Sequence, residues 1–458
     1  MSVEESHVPA REAYLLPTSF GQRRLWFLDL LEPGSSSSYI EHGALRLRGE
    51  VDTEALQRTL DTLVDRHETL RTGFAVVDGE PVQAVAPRLA VPIERIDVAG
   101  TVPTGLDTPA VHAAMADTVR DFVRQPFDLA TPPLFRAALF RIAADDHVFV
   151  VAFHHAIYDQ WSGAVFVREL LTTYDALVTG GEPALPELPI QYGDFSAWQR
   201  EWIGGAEETA QLDYWEQRLA ALPPLELPTD RPRPARQTFE GATVDTFLDA
   251  ELVGRLEQVG RERGATLFMT VLSGFAAVLA RHSGQEDLAI GTPVAGRRAA
   301  ELEHLIGFFV NNLVLRVDTS ADPDFGTLVE RVRAGAVEAY AHDGVPFERV
   351  VERLRPERNL ARSPLFSVMF VFGNVPLPAM RAAGFTAELF RVDPGTAKFD
   401  LFVTCVPDPA GGLNVTVEYN SALFDAATAQ RLLGHLRMVL TSAAADPSRP
   451  LSELTLLG

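Results

Sequence analysis

Leu413, Val415, Val417 and Tyr419 alternate with Asn414, Thr416, Glu418 and Asn420, the period of two that a half-buried strand requires. Residues 401–406 precede this run across the turn sequence PDPAGG, so the pair predicts a β-hairpin. Elsewhere the period changes. Between Glu54 and Arg66, the apolar positions Ala55, Leu56, Leu60 and Leu63 recur at helical spacing, with Asp52 or Thr53 placed to cap. Residues 148–153 form a short unbroken apolar run, as a strand buried on both faces would. After His154, His155 and a short loop, Ala164, Val167, Leu171 and Tyr174 mark one face of an amphipathic helix that Asp159 or Ser162 can cap. Helices and strands alternating along the chain predict an α/β fold with mixed sheets rather than a clean βαβ series.

Two proline-rich stretches interrupt the pattern. VTGGEPALPELP (178–189) can continue neither a helix nor a central strand, and reads as the lobe boundary. It would separate an N-terminal lobe, residues 1–177, from a C-terminal lobe, residues 190–458. LPPLELPTDRPRPAR (222–236) carries five prolines and reads as an extended surface crossing. The four serines at 35–38 read as a loop, and no internal repeat is visible.

The 458 residues are enough for two lobes of about 200 residues each. Charge narrows the partners: 62 acidic against 40 basic residues give a net −22, which repels phosphate backbones and anionic headgroups. Neither nucleic acid nor a membrane is expected to bind. The N-terminus has no apolar signal core, and the longest apolar run, 267–280, is shorter than the roughly 20 residues a bilayer needs, so a cytoplasmic protein is expected. A single cysteine, Cys405, excludes a disulfide scaffold and a cysteine-cluster metal site, and inside its hairpin strand it reads as a small hydrophobe. Lys398 is the only lysine, so Schiff-base chemistry has one candidate, and a local ion pair explains that residue better.

The chemistry concentrates in HHAIYDQWS, where His154 and His155 stand at the tip of the apolar strand and Asp159 opens the next helix. A neutral imidazole held at a helix start suits proton transfer between about pH 6 and 8, and nearby helix N–H groups can stabilise an oxyanion. Two structural histidines bonded to carbonyls fit the same spacing. A metal site built on His154, His155 and Asp159 is disfavoured, because adjacent residues on a strand point to opposite faces. Spacing alone leaves the catalytic and structural readings open.

HHAIYDQWS resembles the HHxxxDG signature of nonribosomal peptide synthetase condensation domains, and other segments follow in that family's order. SFGQRRLWFL (19–28) resembles SxAQxRLWxL, RHETLRTGF (66–74) resembles RHExLRTxF, and QYGDFSAWQR (191–200) resembles YxDYAxW. IGFFVNNLVLR (306–316) is similar to IGxFVNTxxxR, HDGVPFERVVE (342–352) to HQDxPFExLVE, and RNLARSPLFSVMF (358–370) to RDxSRxPLFQVxF. GTPVAGRR (291–298) and KFDL (398–401) are also family-like. Each motif alone is weak. Their shared register makes the resemblance specific.

The resemblance implies two chloramphenicol-acetyltransferase-like lobes forming a V around a tunnel. It implies that an upstream donor carrier protein and a downstream acceptor carrier protein present thioesters on 4′-phosphopantetheine arms, with an adenylation domain as neighbour. The chain itself would bind no cofactor and no metal. The acceptor amine would attack the donor carbonyl, with His155 as the catalytic residue, acting either as a base or by positioning. His154, Asp159 and Arg297 would support the site, Asp159 pairing with Arg297. Gln160, Trp161, Ser162 and Asn311 would line it. SFGQRRLWFLDLLEPG resembles the type that takes an L-configured donor. The chain's start and end suggest a piece of a larger synthetase.

Three positions depart from the family pattern: Gln160 for the glycine of HHxxxDG, Asn312 for the threonine of FVNT, and the run 342–344 for HQD. A glutamine adds bulk and an amide where glycine leaves room and backbone freedom. Alternatives are a coenzyme A-dependent acyltransferase of the same superfamily, an epimerisation domain, and a condensation-like module that only recruits a partner. The intact His155 and Asp159 argue against the last. Trp26, Phe74, Trp198 and Phe347 are expected as core anchors, and Arg66, Arg71 and Arg316 as ion-pair ties. Arg23, Arg24, Arg353, Arg355, Arg358 and Arg362 are candidates for offsetting the negative field where an acidic carrier docks.

Overall fold

A computed structural model of the protein describes residues 13–31, 38–357, 359–373 and 380–456. The chain forms two compact α/β units: Met1–Gly204 with Arg297–Val310 and Val375–Pro394, and Gly205–Gly296 with Asn311–Asn374 and Gly395–Gly458. The division falls after Gly204 rather than within 178–189, and two later segments return to the first unit. Proline and glycine mark where an element stops, but not which sheet a later strand joins. The helix Gln160–Thr179 does stop in the expected stretch, on Gly180 in a left-handed conformation (φ 75°), which a side chain would strain. The helix Tyr192–Trp202 still belongs to the first unit. Arg358 and Ser35–Ser37 lie outside the described residues.

The first unit is built on a six-stranded sheet in the order Arg381–Ala382, Phe385–Leu389, Ile40–Gly49, Asp146–His154, Phe135–Ala143, Ile93–Asp97. All neighbours are antiparallel except the last pair. Residues 148–153 are buried on both faces, as their unbroken apolar run predicts. The helices Thr53–Arg66 and Gln160–Thr179 contact one another, and Leu56, Leu60, Leu63, Phe166 and Tyr174 share one apolar cluster with the sheet. Asp52, not Thr53, caps the first helix, accepting the N–H groups of Glu54 and Ala55. A smaller antiparallel sheet joins Tyr14–Pro17, Glu80–Val85 and Thr72–Val77.

The second unit has its own six-stranded mixed sheet, ordered Asn311–Asp318, Asp287–Val294, Val368–Phe372, Leu401–Pro407, Leu413–Asn420, Gly241–Leu248. The expected hairpin is its Leu401–Pro407 and Leu413–Asn420 pair, with Leu401 opposite Tyr419. Cys405 is buried in that hairpin, and burial pushes its thiol far above the usual range. The longest apolar run becomes the helix Leu267–Ser283, packed against Phe325–Ala341 and Ala426–Ala445. A Cβ on Gly274 would stand 2.4 Å from Leu440 Cδ2, so that position must stay bare for the helices to approach. No helix of the described residues is long and apolar enough to cross a membrane.

Phe74 and Phe347 are core anchors, and Trp26 packs partly buried against the first unit's core. Trp198 is not: it is 54% exposed, at the end of an aromatic row through Phe195. Arg66 ties to Glu169 at 3.2 Å and Arg316 to Asp287 at 2.7 Å, while Arg71 reaches Glu68 only at 3.8 Å.

Candidate active site

The sheet of the first unit delivers the two histidines. Ile40 stands opposite His154 and Glu41 opposite Phe153, and alternation sends successive side chains to opposite faces. His154 is buried edge-on to Phe127, and its Nδ1 accepts the Ala156 N–H at 3.1 Å. His155 begins a short 3-10 turn, His155–Ile157, held by the fully buried Ala156 and Ile157. Its Nδ1 lies 2.6 Å from the Tyr158 carbonyl oxygen. A carbonyl only accepts, so Nδ1 carries the proton, and the neutral ring keeps its lone pair on Nε2. Nε2 lies 3.5 Å from Glu41 Oε1, and the ring centroid sits 4.7 Å from that of Phe308. The His155 side chain is 17% exposed.

Asp159 does other work. As the cap of helix Gln160–Thr179 it takes the Ser162 N–H at 2.8 Å on Oδ1, while Oδ2 takes the Phe309 N–H at 3.0 Å. Arg297 Nη2 reaches Oδ1 at 3.2 Å and Ser162 Oγ at 3.0 Å, and Nη1 donates to the carbonyls of Leu302 and Leu305. Its guanidinium carbon lies 4.0 Å from the Phe309 ring centroid. Burial pulls Arg297 below its usual value, and the Asp159 charge opposes that shift. Asp159 and Arg297 therefore lock the loop 297–309 against the helix start.

The remaining expected site residues separate. Ser162 is fully buried, bonded to Asp159 and within 2.9 Å of the Gly307 carbonyl, so it belongs to the lock. Trp161 is half-buried and donates Nε1–H to the Glu303 carbonyl at 3.0 Å. Gln160 is exposed at the first turn of the helix, where the backbone is helical. Asn311 lies in the second unit. Its amide donates to the carbonyls of Asp343 and Val345 and accepts the Phe347 N–H, fastening the segment that carries Phe347.

The other motifs converge behind the histidine loop. Gln22 Nε2 donates to the Ala156 carbonyl at 3.1 Å, and Thr69 Oγ1 to the Ile306 carbonyl at 2.9 Å. Tyr192 Oη donates to the Phe308 carbonyl at 2.7 Å, and a Cβ on Gly307 would stand 2.2 Å from Tyr192 Cδ2. Residues far apart in the chain thus fix Phe308 beside His155.

A family model described as the condensation domain matches residues 12–458. The chain belongs to the condensation domain family. It is 44% identical over 453 residues to one of the linear gramicidin synthase proteins of Brevibacillus parabrevis, covering 98% of this chain and 6% of that protein. The condensation domain spans only 6–9% of the length of the linear gramicidin synthase proteins it matches. Among solved structures, the X-domain from teicoplanin biosynthesis matches with a TM-score of 0.85 at 28% identity over 100% of both chains. The X-domain in its complex with OxyB matches with a TM-score of 0.83 at 29% identity, covering 100% of this chain and 98% of that one. The two mixed-sheet α/β units are the chloramphenicol-acetyltransferase-like architecture expected of the condensation domain.

Among the neighbours of His155, Glu41 is announced by no local pattern, whereas Tyr158 and Phe308 lie within HHAIYDQWS and IGFFVNNLVLR. Glu41 reaches the condensation domain's histidine only through strand register, which its own segment, YIEHG, does not encode. The arginines considered for carrier docking are partly committed within their own units: Arg23 to Glu80, Arg353 to Asp213 and Glu216, and Arg362 to Glu226.

Proposed function

We propose that this condensation domain forms a peptide bond, the acceptor aminoacyl amine attacking the thioester carbonyl of a donor aminoacyl or peptidyl group. Both substrates are proposed to arrive on 4′-phosphopantetheine arms of carrier proteins, beside an adenylation domain, in a cytoplasmic synthetase, with an L-configured donor residue. The observation that carries this reading is His155 itself, whose Nδ1–H is engaged by the Tyr158 carbonyl so that Nε2, 3.5 Å from Glu41 Oε1, is an acceptor in the neutral ring.

The chemistry asks little of the protein beyond placement. Thioester aminolysis is an intrinsically facile reaction, and tethering both reactants supplies effective molarities that reach 10⁵ M or more, an order-of-magnitude figure. A base at Nε2 adds about 10²–10⁴-fold. His155 Nε2 accepts a proton from the amine as the C–N bond forms, and the thiolate leaves with a proton as the C–S bond breaks. Asp159 and Arg297 hold the loop that presents His155 and touch neither reactant.

The experiment is intact-mass detection of dipeptidyl product on the acceptor carrier, comparing wild type with His155→Ala. Product with wild type, reduced at least tenfold in the folded variant, supports condensation at His155. Equal rates remove His155 as a catalyst.

A second reading, a recruitment module without chemistry, draws on the likeness to the X-domain in complex with OxyB and on Gln160. Absence of product across a panel of loaded carriers, with carrier binding intact, would favour it.

A further inference from the structure

Glu41 places a carboxylate beside the reacting histidine. Its Oε1 lies 3.5 Å from His155 Nε2, and its side chain is 29% exposed. It stands opposite Phe153, on the strand face toward which His155 also turns, and Phe153 stacks on Tyr158 with 4.0 Å between ring centroids. Burial first, then the Glu41 charge, pushes the Tyr158 hydroxyl far up, so the carboxylate's field reaches the ring that stacks on Phe153.

Because the His155 Nδ1–H is held by the Tyr158 carbonyl, neutral His155 presents an acceptor nitrogen to an acceptor oxygen. Two acceptors this close repel unless a donor hydrogen lies between them, and a positively charged N–H also balances the carboxylate's charge. A proton on Nε2 supplies one by forming an imidazolium–carboxylate pair. A primary ammonium supplies one equally well, with three N–H donors for the two acceptors. A hydroxyl or a thioester has no charge to offer. The α-amine of an acceptor aminoacyl group is largely protonated near neutral pH, since free α-amines titrate at about 7.7–8.0.

We infer that Glu41 and His155 together form the binding site for the acceptor's α-ammonium group, a site that rests on the peptide-forming reading above. The ammonium loses its first proton to His155 Nε2, and the freed lone pair forms the C–N bond to the donor carbonyl. The nitrogen loses its second proton as the C–S bond breaks, and the thiolate leaves as a thiol. Net, one proton passes to solvent. Throughout, the Glu41 carboxylate balances the positive charge, first on the ammonium and then on the imidazolium.

The test measures binding of two isosteric probes by calorimetry, alanyl-pantetheine amide and lactoyl-pantetheine amide, to wild type, Glu41→Gln and Glu41→Asp. The wild type should favour the amine over the hydroxyl by about tenfold or more, the range of a charge-assisted hydrogen bond. Glu41→Gln should lose that preference and Glu41→Asp should retain part of it. In the peptide assay, Glu41→Gln should raise the KM for acceptor-loaded carrier and leave the donor KM unchanged. An amine preference equal in wild type and Glu41→Gln, with wild type still forming peptide, overturns the ammonium site alone. An amine preference lost in Glu41→Gln, in a wild type that forms no peptide, supports the ammonium site and overturns the condensation reading.

Discussion

The Asp159 carboxylate and the Arg297 guanidinium meet at 3.2 Å across 138 residues of chain, with side chains only 4% and 1% exposed. The pair sits at the start of the helix that follows His155, yet its hydrogen bonds run to Ser162, Phe309, Leu302 and Leu305. It is a buried clamp beside the histidine loop. Removing one partner leaves the other charge buried, which typically costs about 3–5 kcal/mol. Asp159→Asn and Arg297→Met should each lower the urea midpoint steeply and abolish activity through unfolding. The double variant should be less destabilised than the sum of the two. Additive losses would mean that the two charges do not interact.

The adjacent histidines should separate in their effects. His155→Ala should lower peptide formation by about 10²–10⁴-fold while leaving the melting temperature nearly unchanged, since its ring is partly exposed and its hydrogen bond closes only a short turn. His154→Ala should instead lose about 1–3 kcal/mol of stability, because its ring is buried and its Nδ1 holds the Ala156 N–H. Thermal melts and single-turnover rates on both variants decide this. A stable, inactive His154→Ala would reverse the assignment.

This division shows what one sequence carries. The α/β class, the hairpin at 401–420 and the helix ending at Arg66 were legible because each rests on a local period that burial enforces. The Asp159–Arg297 pair was legible only through resemblance, since no periodicity joins a helix cap to a loop so distant in the chain. Three things were not legible. The return of Val375–Pro394 to the first unit depends on Phe385–Leu389 finding the free edge of Ile40–Gly49, a pairing that the segment's own composition does not specify. Trp198 reads as a core residue by type, yet its helix turns it outward. Glu41 meets His155 through register alone.

Acid should destabilise the fold in two stages, and His67 should account for part of the first. His67 Nε2 lies 2.7 Å from Glu169 Oε2, with both side chains essentially buried and Arg66 also on Glu169. Burial lowers His67 below its ordinary 6.5, outweighing the pull of Glu169. The unfolded chain therefore binds a proton there before the native state does, and stability falls as pH drops below about 6.5. Glu169 is lowered from 4.5 in spite of burial, by His67 and Arg66, so its contribution is present above that value and lost on further acidification. His147, His282 and His435 are lowered by burial too and act in the same direction as His67. Urea midpoints from pH 7.5 to 5 should decline, and His67→Gln should flatten the slope by up to about 1.4 kcal/mol per pH unit, the value of one linked proton. An unchanged slope would mean that His67 is not held neutral.

Gln160 is the departure most open to a direct test. If a glycine were needed here for its backbone freedom, the residue would have to adopt a conformation closed to side chains. Instead Gln160 begins a regular helix, and positive φ angles among the described non-glycine residues occur at Asp78, Ala221, Ala321, Asp322, Arg355 and Leu365. Its consequence for activity must then come from the bulk and amide of its exposed side chain. Gln160→Ala and Gln160→Gly should therefore change the peptide-forming rate by the same factor, whichever direction that takes. Stability should distinguish them, because glycine inside a helix costs up to about 1 kcal/mol relative to alanine, and less at the first turn. Parallel turnover and melting measurements on the two variants settle the point. A rate gain confined to Gln160→Gly would show that the site requires a backbone shape that this helix start does not adopt at rest.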